Sequence, residues 1–449
     1  MMMDENQSML RTFLEYAIPC IAGLFLTSFI TIVDGMFIAW KMGEQGLAAV
    51  NLTLPVLYIL LALTIMSGAG GVTLAAQSLG EGNRGRANYY FTYSLVINVI
   101  VNLIALLILV LFEETVLRLL NAGGVLKGLV RDFLGTIKFF YLFMMANLTF
   151  SIFIRGEGKP QLPLVFGVVA NLLNIGLDYL FIFRFNLGMR GAALATGLSV
   201  TLAFGLGLAY FLSKRSVFKL RPIVMNPNDL KRIAGLGSAE FVAQISLSII
   251  VYIFNWVLLK RIGVQGVAAM TIVGYVSFVQ NMILTGIAVG IHPMLSYWSG
   301  AKRNRAIAEL TAIALLAAVV VGAAVFAAAC LQGRTLAGIF AKGDESLLEM
   351  AAAGLKLFSL SFLLNGYNMI AAAYFTSLGD AKKAAIISTL RGLFLVIPLI
   401  LTLPLLIGNA GIWLAPAVAE LMVFGLAYYW MRKSGKELRG EGWNGDLGR

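Results

Sequence analysis

The sequence has few charged residues, few cysteines and almost no histidine. Asp, Glu, Lys and Arg make up 12% of its 449 residues, against about 25% in an average soluble domain. So little charge cannot cover the surface of a soluble protein of this size, which excludes a soluble enzyme and a disordered chain. The two isolated cysteines, Cys20 and Cys330, predict neither a disulfide framework nor a metal site. The single histidine, His292, leaves almost no room for His-based metal or triad chemistry.

Apolar residues are abundant instead, at 59% of the chain with a mean hydropathy of +0.87. A helix needs about 20 mostly apolar residues to cross the hydrocarbon of a bilayer. Twelve such stretches are present, and none alternates as the strands of a membrane barrel do. The sequence therefore predicts an all-α polytopic membrane protein with twelve transmembrane helices, at 13–40, 47–79, 87–112, 132–155, 161–183, 190–213, 233–260, 266–298, 304–330, 350–376, 384–407 and 411–432.

Lys and Arg are unevenly divided between the two sides of these helices. The N-terminus and every second loop after it carry roughly twice as many of them as the opposite loops, and Lys and Arg concentrate on the cytoplasmic side of membrane proteins. We therefore expect both termini in the cytoplasm and the chain in the cell (inner) membrane. This asymmetry explains the net charge of +12 without nucleic acid as a partner.

The chain contains an internal repeat. Gly43 to Gly80 matches Gly263 to Gly300 without gaps at an offset of 220, and Gly191 matches Gly411 at the same offset. This pattern predicts two homologous six-helix lobes in the same orientation, an arrangement typical of alternating-access transporters. The predicted lobes are 1–213 and 233–432, joined by a cytoplasmic linker at 214–232 and followed by a polar cytoplasmic tail at 433–449.

Several short motifs, in order and along nearly the whole chain, resemble the multidrug and toxic compound extrusion (MATE) transporters. They are Val33-Asp34, Gly46-Leu-Ala-Ala, Arg155-Gly-Glu-Gly-Lys-Pro160, Asn174-Ile-Gly-Leu-Asp178 and Gly188-Met-Arg-Gly-Ala-Ala-Leu-Ala-Thr196. The resemblance implies a V-shaped pair of six-helix lobes that exports cationic or amphipathic organic compounds in exchange for H⁺ or Na⁺. It implies no cofactor and no enzymatic activity, and we expect a monomer.

Four polar residues of the first half lie inside predicted helices at a similar depth. Asp34, Asp178 and Thr196 each lie about six residues, or roughly 9 Å, from the outer end of their helix, and Asn174 is one turn from Asp178. An ionisable residue inside a span costs at least about 2.5–3.5 kcal/mol on insertion scales, which makes it a functional candidate. Two carboxylates, an amide and a hydroxyl suit either a proton site or an all-oxygen site for a cation such as Na⁺.

By resemblance, these four residues match the ion-coupling cluster in the N-terminal lobe of the DinF-type branch. Pro19 matches a proline of the first helix whose bending is tied to that cluster; a static kink is the alternative. The repeat positions of Asp34 and Asp178 in the second half are Phe254 and Pro398. The carboxylate site is therefore expected in the first half alone.

The second half offers other polar residues within its helices. Glu420 lies in the middle of the twelfth helix and either binds a cationic substrate or pairs with Arg391. Glu240 lies near the inner start of the seventh helix, shallower than the acid of the NorM-type branch. The substrate-binding candidates are Glu420, Arg391, Asn147 and Tyr141.

Three other functions compete with drug export. A lipid-linked oligosaccharide flippase of the same superfamily is expected to line its cavity with several Lys or Arg, whereas only Arg391 lies deep in a span. A major-facilitator transporter usually has Gly-x-x-x-Asp-Arg between helices 2 and 3, whereas this chain has Gly80-Glu-Gly-Asn-Arg84. A membrane enzyme would need a metal cluster, a nucleophile or a phosphate loop, and the sequence has none of these patterns.

The charge asymmetry yields a direct test of orientation. Green fluorescent protein fused after Arg449 is expected to fluoresce, because it folds in the cytoplasm, and alkaline phosphatase at the same position is expected to be inactive. A dark fluorescent fusion together with an active phosphatase fusion would place the C-terminus outside.

Overall fold

The computed structural model describes residues 8–120, 124–341 and 345–438, and within these ranges every regular element is a helix. Eleven of these helices are long and apolar enough to span a bilayer, and one bent pair makes a twelfth span. The prediction of twelve spans is confirmed, with ends that differ by several residues. A short helix, Glu113–Leu119, follows the third span. The spans are α1 (Met9–Gly43), α2 (Gln45–Gly80), α3 (Arg84–Leu111), α4 (Gly124–Ile137 with Tyr141–Gly156), α5 (Gln161–Arg184), α6 (Gly188–Leu212), α7 (Pro227–Arg261), α8 (Val264–Gly300), α9 (Asn304–Gly338), α10 (Glu345–Ser377), α11 (Ala381–Ile407) and α12 (Ala410–Leu438).

The fourth span differs from its prediction as a single helix over 132–155. The helix is bent by 59° between its two arms. At the bend, the backbone N–H of Phe140 donates to the carbonyl oxygen of Ile137 at 2.9 Å, three residues earlier in the chain. The first arm carries Lys127, Arg131 and Asp132 and buries the apolar side chains of Val130, Phe133, Leu134 and Ile137. A helix with one charged face cannot run straight through hydrocarbon, and the bend lets this arm keep its charges at the surface.

The internal repeat is visible in the backbone. Gly43 and Gly263, 220 positions apart, have φ of 64° and 95° just before α2 and α8. Gly188 and Gly408, again 220 apart, have φ of 56° and 65°. This left-handed region is open to glycine at little cost, so the repeated glycines set repeated turns. The bend of α4 also has a counterpart, because α10 is interrupted by a single 3₁₀ turn at Ser359–Ser361.

The chain forms two compact units. The N-terminal unit contains Ala22–Gly237, and the C-terminal unit contains the residues from Ser238 onward together with residues 9–21 of α1. These limits differ from the predicted lobes because the first part of α1 belongs to the second unit, and the linker belongs to the first. The predicted tail at 433–449 begins as helix, since α12 continues to Leu438; its remainder, 439–449, lies outside the described residues.

Repeat-related glycines allow one close helix crossing within each unit. A Cβ added to Gly70 in α2 would lie 1.9 Å from the carbonyl oxygen of Ile233 in the N-terminal unit. A Cβ added to Gly290 in α8 would lie 3.1 Å from Cα of Ala17 in the C-terminal unit. In a bilayer, small residues let helix backbones approach and gain van der Waals contact, so these glycines fix two equivalent crossings.

The linker between α6 and α7 is fastened to the N-terminal unit by a buried carboxylate. Glu157, fully buried after the last turn of α4, accepts hydrogen bonds from Tyr210 Oη, from Ser216 Oγ at 2.5 Å and from Phe218 N at 2.8 Å. The buried Phe218 ring lies 5.5 Å from the rings of both Phe91 and Phe153. The motif at 155–160 therefore anchors the linker, a role that the sequence alone did not reveal.

Replacing Glu157 with Gln tests this anchor. The amide has one acceptor oxygen where the carboxylate has two, so one buried donor loses its partner and hydrogen bonds to a charge are lost. Such bonds contribute about 1.5–3 kcal/mol each, and we expect a lower melting temperature of the purified protein in detergent. Glu81→Gln is the matched control, because Glu81 forms an exposed ion pair with Arg86 at 3.4 Å. Equal melting temperatures for Glu157→Gln and the unaltered protein would contradict the anchor.

Candidate functional site

Three of the four predicted coupling residues come together within the N-terminal unit. Asp178 ends the α-helical part of α5 and is 1% exposed, and Asn174, one turn earlier, is also buried. The carboxylate of Asp34, from the C-terminal part of α1, lies beside the carboxylate of Asp178. The carboxylate of Asp178 also lies beside the amide of Asn174. Two helices distant in sequence thus place two carboxylates and an amide at one point.

The polar atoms of this cluster lack hydrogen-bond partners. Among the described residues, nothing bonds to Asp34 Oδ1, to either carboxylate oxygen of Asp178 or to Asn174 Nδ2, although all four atoms are buried. Two ionised carboxylates facing each other out of water repel, and a shared proton or a bound cation removes that repulsion. Oxygen atoms of carboxylates and amides are also the ligands of hard cations. The described ranges hold no group of three or more His, Cys, Asp or Glu suited to a metal.

The other two predicted residues are placed less closely. Thr196 lies half-buried in α6, and its side chain makes no hydrogen bond to the residues that the structure describes. Pro19 lies in α1 where the helix is continuous, and from Met9 to Gly80 the backbone leaves helical angles only at Gly43. A kink at Pro19 is therefore not visible in the backbone angles. The roles of both residues stay predictions.

The helix changes form directly after Asp178. Residues Tyr179–Arg184 form a π-helix, in which the hydrogen bonds span five residues. Such segments occur often at functional sites, where they redirect side chains. A second π-helix, Leu390–Phe394, contains Arg391 in α11. The first π segment therefore follows the buried Asp178, and the second contains the half-buried Arg391.

Tyr141, predicted to line the substrate cavity, belongs to a buried polar network between α2, α3 and α4. Its hydroxyl donates to Asn102 Oδ1, while Asn102 Nδ2 donates to Thr64 Oγ1 at 3.1 Å. One turn away, Asn98 Nδ2 donates to Ser67 Oγ at 3.1 Å. Asn98 and Asn102 are four residues apart on α3, so they lie on the same face of the helix. This spacing is the sequence signal that could have pointed to the network. Asn147, the other cavity candidate of α4, is half-buried and outside this network.

In the C-terminal unit, Glu420 pairs with Arg391. Nε and Nη2 of Arg391 donate to Glu420 Oε1 at 3.3 and 3.1 Å, and Nη2 also donates to Asn365 Oδ1 at 2.7 Å. Asn368 Nδ2 donates to Glu420 Oε2 at 2.6 Å. Of the two roles weighed for Glu420, the ion pair is the one that the structure contains. The two asparagines of α10 were missed because nothing in their sequence spacing shows which helix they face.

The repeat positions of the N-terminal carboxylates carry no charge in the C-terminal unit. Phe254 is buried in the apolar core there, and Pro398 lies in α11. The two units therefore share a backbone plan and differ in their buried charges, with paired carboxylates in one and an arginine–glutamate pair in the other.

Comparison with known proteins identifies relatives of this architecture. The family model described as MatE matches residues 19–180 and 240–402, once in each half. The chain is 25% identical over 418 residues to the multidrug export protein MepA of Staphylococcus saprophyticus. The matched stretch covers 93% of this chain and 92% of that protein. A solved structure of MATE in the bent conformation matches with a TM-score of 0.90 at 21% identity, covering 98% of both chains. An outward-facing multidrug resistance MATE family transporter matches with a TM-score of 0.88 at 21% identity, covering 96% of this chain and 97% of that one.

The unpartnered atoms of the carboxylate cluster predict a gain in stability when charge is removed. Asp178→Asn replaces a buried ionisable group that has no hydrogen-bond partner with a neutral amide, and an unsatisfied buried polar group costs about 1–3 kcal/mol or more when charged. We expect a higher melting temperature in detergent at alkaline pH without Na⁺. Asp132→Asn is the control, since Asp132 is exposed and bonded to Arg190 at 2.8 Å. A melting temperature for Asp178→Asn below that of the unaltered protein would contradict this account.

Proposed function

The chain belongs to the MATE family of membrane transporters, and from this premise we propose that it is an antiporter that exports organic cations in exchange for H⁺ or Na⁺. Drug efflux itself follows from the family match and from its multidrug export relatives. Neither the exchange nor the cationic nature of the substrates follows from these comparisons. Both are argued from the charges within the two units.

The observation that supports ion coupling is the cluster of Asp34, Asp178 and Asn174. Asp34 Oδ1 and both carboxylate oxygens of Asp178 are buried and lack partners among the described residues, so a proton or Na⁺ that binds there gains interactions that the protein alone does not supply. A site of this kind has two states of different charge. Ion uptake removes the repulsion between the carboxylates, and ion release restores it, so the ion favours one arrangement of the surrounding helices over another.

The helix that carries Asp34 is suited to transmit this change. α1 begins in the C-terminal unit and enters the N-terminal unit between Ile21 and Ala22, two residues after Pro19. Pro19 has no backbone N–H to donate, so the helix is easier to bend at this position. In our proposal, ion binding at Asp34 and Asp178 bends α1 near Pro19, the substrate is expelled outward, and release of the ion inward restores the first state. Thr196 completes the ion site from α6.

Substrates are proposed to be small organic compounds with a cationic group, held within the membrane part of the protein. The protein is proposed to act as a monomer in the cell membrane with both termini in the cytoplasm. The family match sets aside the major-facilitator alternative. The flippase alternative gains no support, because a flippase of this kind is expected to line its cavity with several Lys or Arg. Within the described ranges Arg391 is the one arginine that the sequence places deep in a span, and it pairs with Glu420.

Neutralising the carboxylates tests the coupling. In cells that lack other exporters, Asp34→Asn and Asp178→Asn are each expected to reduce energised ethidium efflux to the level of cells without the transporter. The physical reason is that the amide cannot release a proton or attract Na⁺. Asp132→Asn, which alters an exposed carboxylate of α4, is expected to retain efflux. Full gradient-driven efflux by both variants would refute the assignment.

The identity of the ion requires a separate experiment. Purified protein in liposomes is given either a pH gradient or a Na⁺ gradient alone, and ethidium accumulation is followed. Under our proposal, at least one gradient drives accumulation, and Asp178→Asn abolishes it. Transport driven equally well with no ion gradient would contradict antiport.

A further inference from the structure

We propose that the linker at 214–232 is a docking surface for anionic phospholipids of the leaflet beside it, which is the cytoplasmic leaflet in the proposed orientation. The linker lies within the N-terminal unit. This inference goes beyond the proposed export function, because it assigns a partner to a segment that holds neither the ion nor the substrate. The depth of the linker, its exposed apolar side chains and its exposed cations together point to this partner.

The linker lies along the first turns of α3. The backbone N–H of Lys219 donates to Asn88 Oδ1 at 2.9 Å, and the backbone N–H of Arg221 donates to Thr92 Oγ1 at 3.1 Å. Both acceptor side chains are buried. These two bonds keep the middle of the linker at the level of Asn88 and Thr92.

That level is close to the surface of the hydrocarbon. The 28 residues of α3 make a helix about 42 Å long, whereas the hydrocarbon is about 30 Å thick, so roughly 6 Å of helix extends beyond it at each end. Asn88 and Thr92 lie one and two turns after Arg84, the first residue of α3, or about 6 and 12 Å along its axis. The bonded part of the linker therefore lies where the phospholipid headgroups meet the hydrocarbon.

The linker presents large apolar side chains at this level. Leu220 is 52% exposed, Val224 is 86% exposed and Met225 is 43% exposed. Three exposed apolar side chains within six residues are costly in water, and the boundary of a bilayer covers such side chains when cations accompany them. An acyl chain beside the linker would supply this cover.

The carboxylates of Glu157 and Asp229, which contact the linker, are already bonded. Glu157 is fully buried and accepts three hydrogen bonds. Asp229 accepts from the hydroxyl of Tyr89 at 3.0 Å and from that of Tyr90 at 3.3 Å, and it lies 4.0 Å from Arg232. Neither carboxylate therefore neutralises the exposed cations of the linker.

The cations of the linker supply the charge that selects an anionic headgroup. Six Lys and Arg against one Asp give the segment a net charge of +5. Lys214, Arg215 and Arg221 are exposed, and within the described part of the chain their side chains form no ion pair. Clusters of Lys and Arg immediately beside a membrane span bind anionic lipids. A soluble anion would match these cations but leave the apolar side chains in water, whereas a phospholipid contacts both.

Spin-labelled lipids test this assignment on the whole protein. Val224 is replaced by Cys and labelled with nitrobenzoxadiazole, after the exposed Cys330 is changed to Ser; Cys20 is buried. The protein is placed in nanodiscs that contain equal amounts of phosphatidylcholine and phosphatidylglycerol. In one preparation the phosphatidylglycerol carries a nitroxide on its acyl chain near the headgroup, and in the other the phosphatidylcholine carries it. We expect the label to be quenched by about fivefold more contact with phosphatidylglycerol, the preference that one cation near the membrane surface provides.

Neutral and charge-preserving variants separate charge from shape. The triple variant Lys214→Gln, Arg215→Gln and Arg221→Gln is expected to reduce the preference for phosphatidylglycerol to about one. Arg221→Lys keeps the charge and is expected to keep the preference.

The matched control for charge is the triple variant Lys302→Gln, Arg305→Gln and Lys382→Gln, which removes three exposed cations from turns of the C-terminal unit. It is expected to leave the preference at position 224 unchanged. The unaltered protein labelled at Cys330, which is exposed in α9, is the control for the position of the label and is expected to be quenched equally by both lipids.

Three results would overturn the proposal. Equal quenching by both lipids at position 224 would show lipid contact without selection of charge. An absence of quenching by either lipid would place the linker away from the leaflet and leave its apolar side chains to a protein partner. A preference that disappears when excess glycerol phosphate is added would show that the site takes a free anion.

Discussion

Hydrocarbon offers no hydrogen bonds, and this constraint decides where the polar side chains of the twelve spans lie. Most of them bond within the protein: Thr149 Oγ1 donates to Met145 O of its own helix, and Asn102 joins α3 to α2 and α4. The cluster of Asp34, Asp178 and Asn174 departs from this pattern, since four of its buried atoms have no partner within the described ranges. Because an unsatisfied buried charge is costly, a protein that keeps one needs a ligand for it. In our proposal, that ligand is an ion that arrives and leaves.

The two halves of the chain show how one backbone plan serves two purposes. The glycines at positions 43 and 263 turn the chain in the same way 220 residues apart, and the family model matches both halves. The buried charges have diverged. The N-terminal unit holds two carboxylates without a counter-charge, which suits ion exchange, while the C-terminal unit holds an arginine with its own glutamate and two asparagines. A duplicated scaffold can thus hold different buried charges in its two halves.

The sequence was sufficient for the features that depend on local pattern. Apolar length gave the twelve spans, the glycine register gave the repeat, and counting residues from the helix ends placed Asp34 and Asp178 at a common depth. It was insufficient wherever the outcome depends on which helices become neighbours. The bend of α4, the anchoring of the linker by Glu157 and the pairing of Asn365 and Asn368 with the Arg391–Glu420 pair all depend on contacts between residues distant in the chain. The first part of α1, counted with the first half by sequence, belongs to the C-terminal unit for the same reason.

The central claim is that the cluster around Asp34 and Asp178 links the binding of an ion to the binding of substrate. The most direct measurement is the affinity of the purified protein for ethidium across a range of pH and Na⁺ concentration, compared with the double variant Asp34→Asn with Asp178→Asn. The account predicts that the affinity of the unaltered protein changes with at least one of the two ions and that the affinity of the double variant changes with neither. The same ion dependence in both proteins would contradict it.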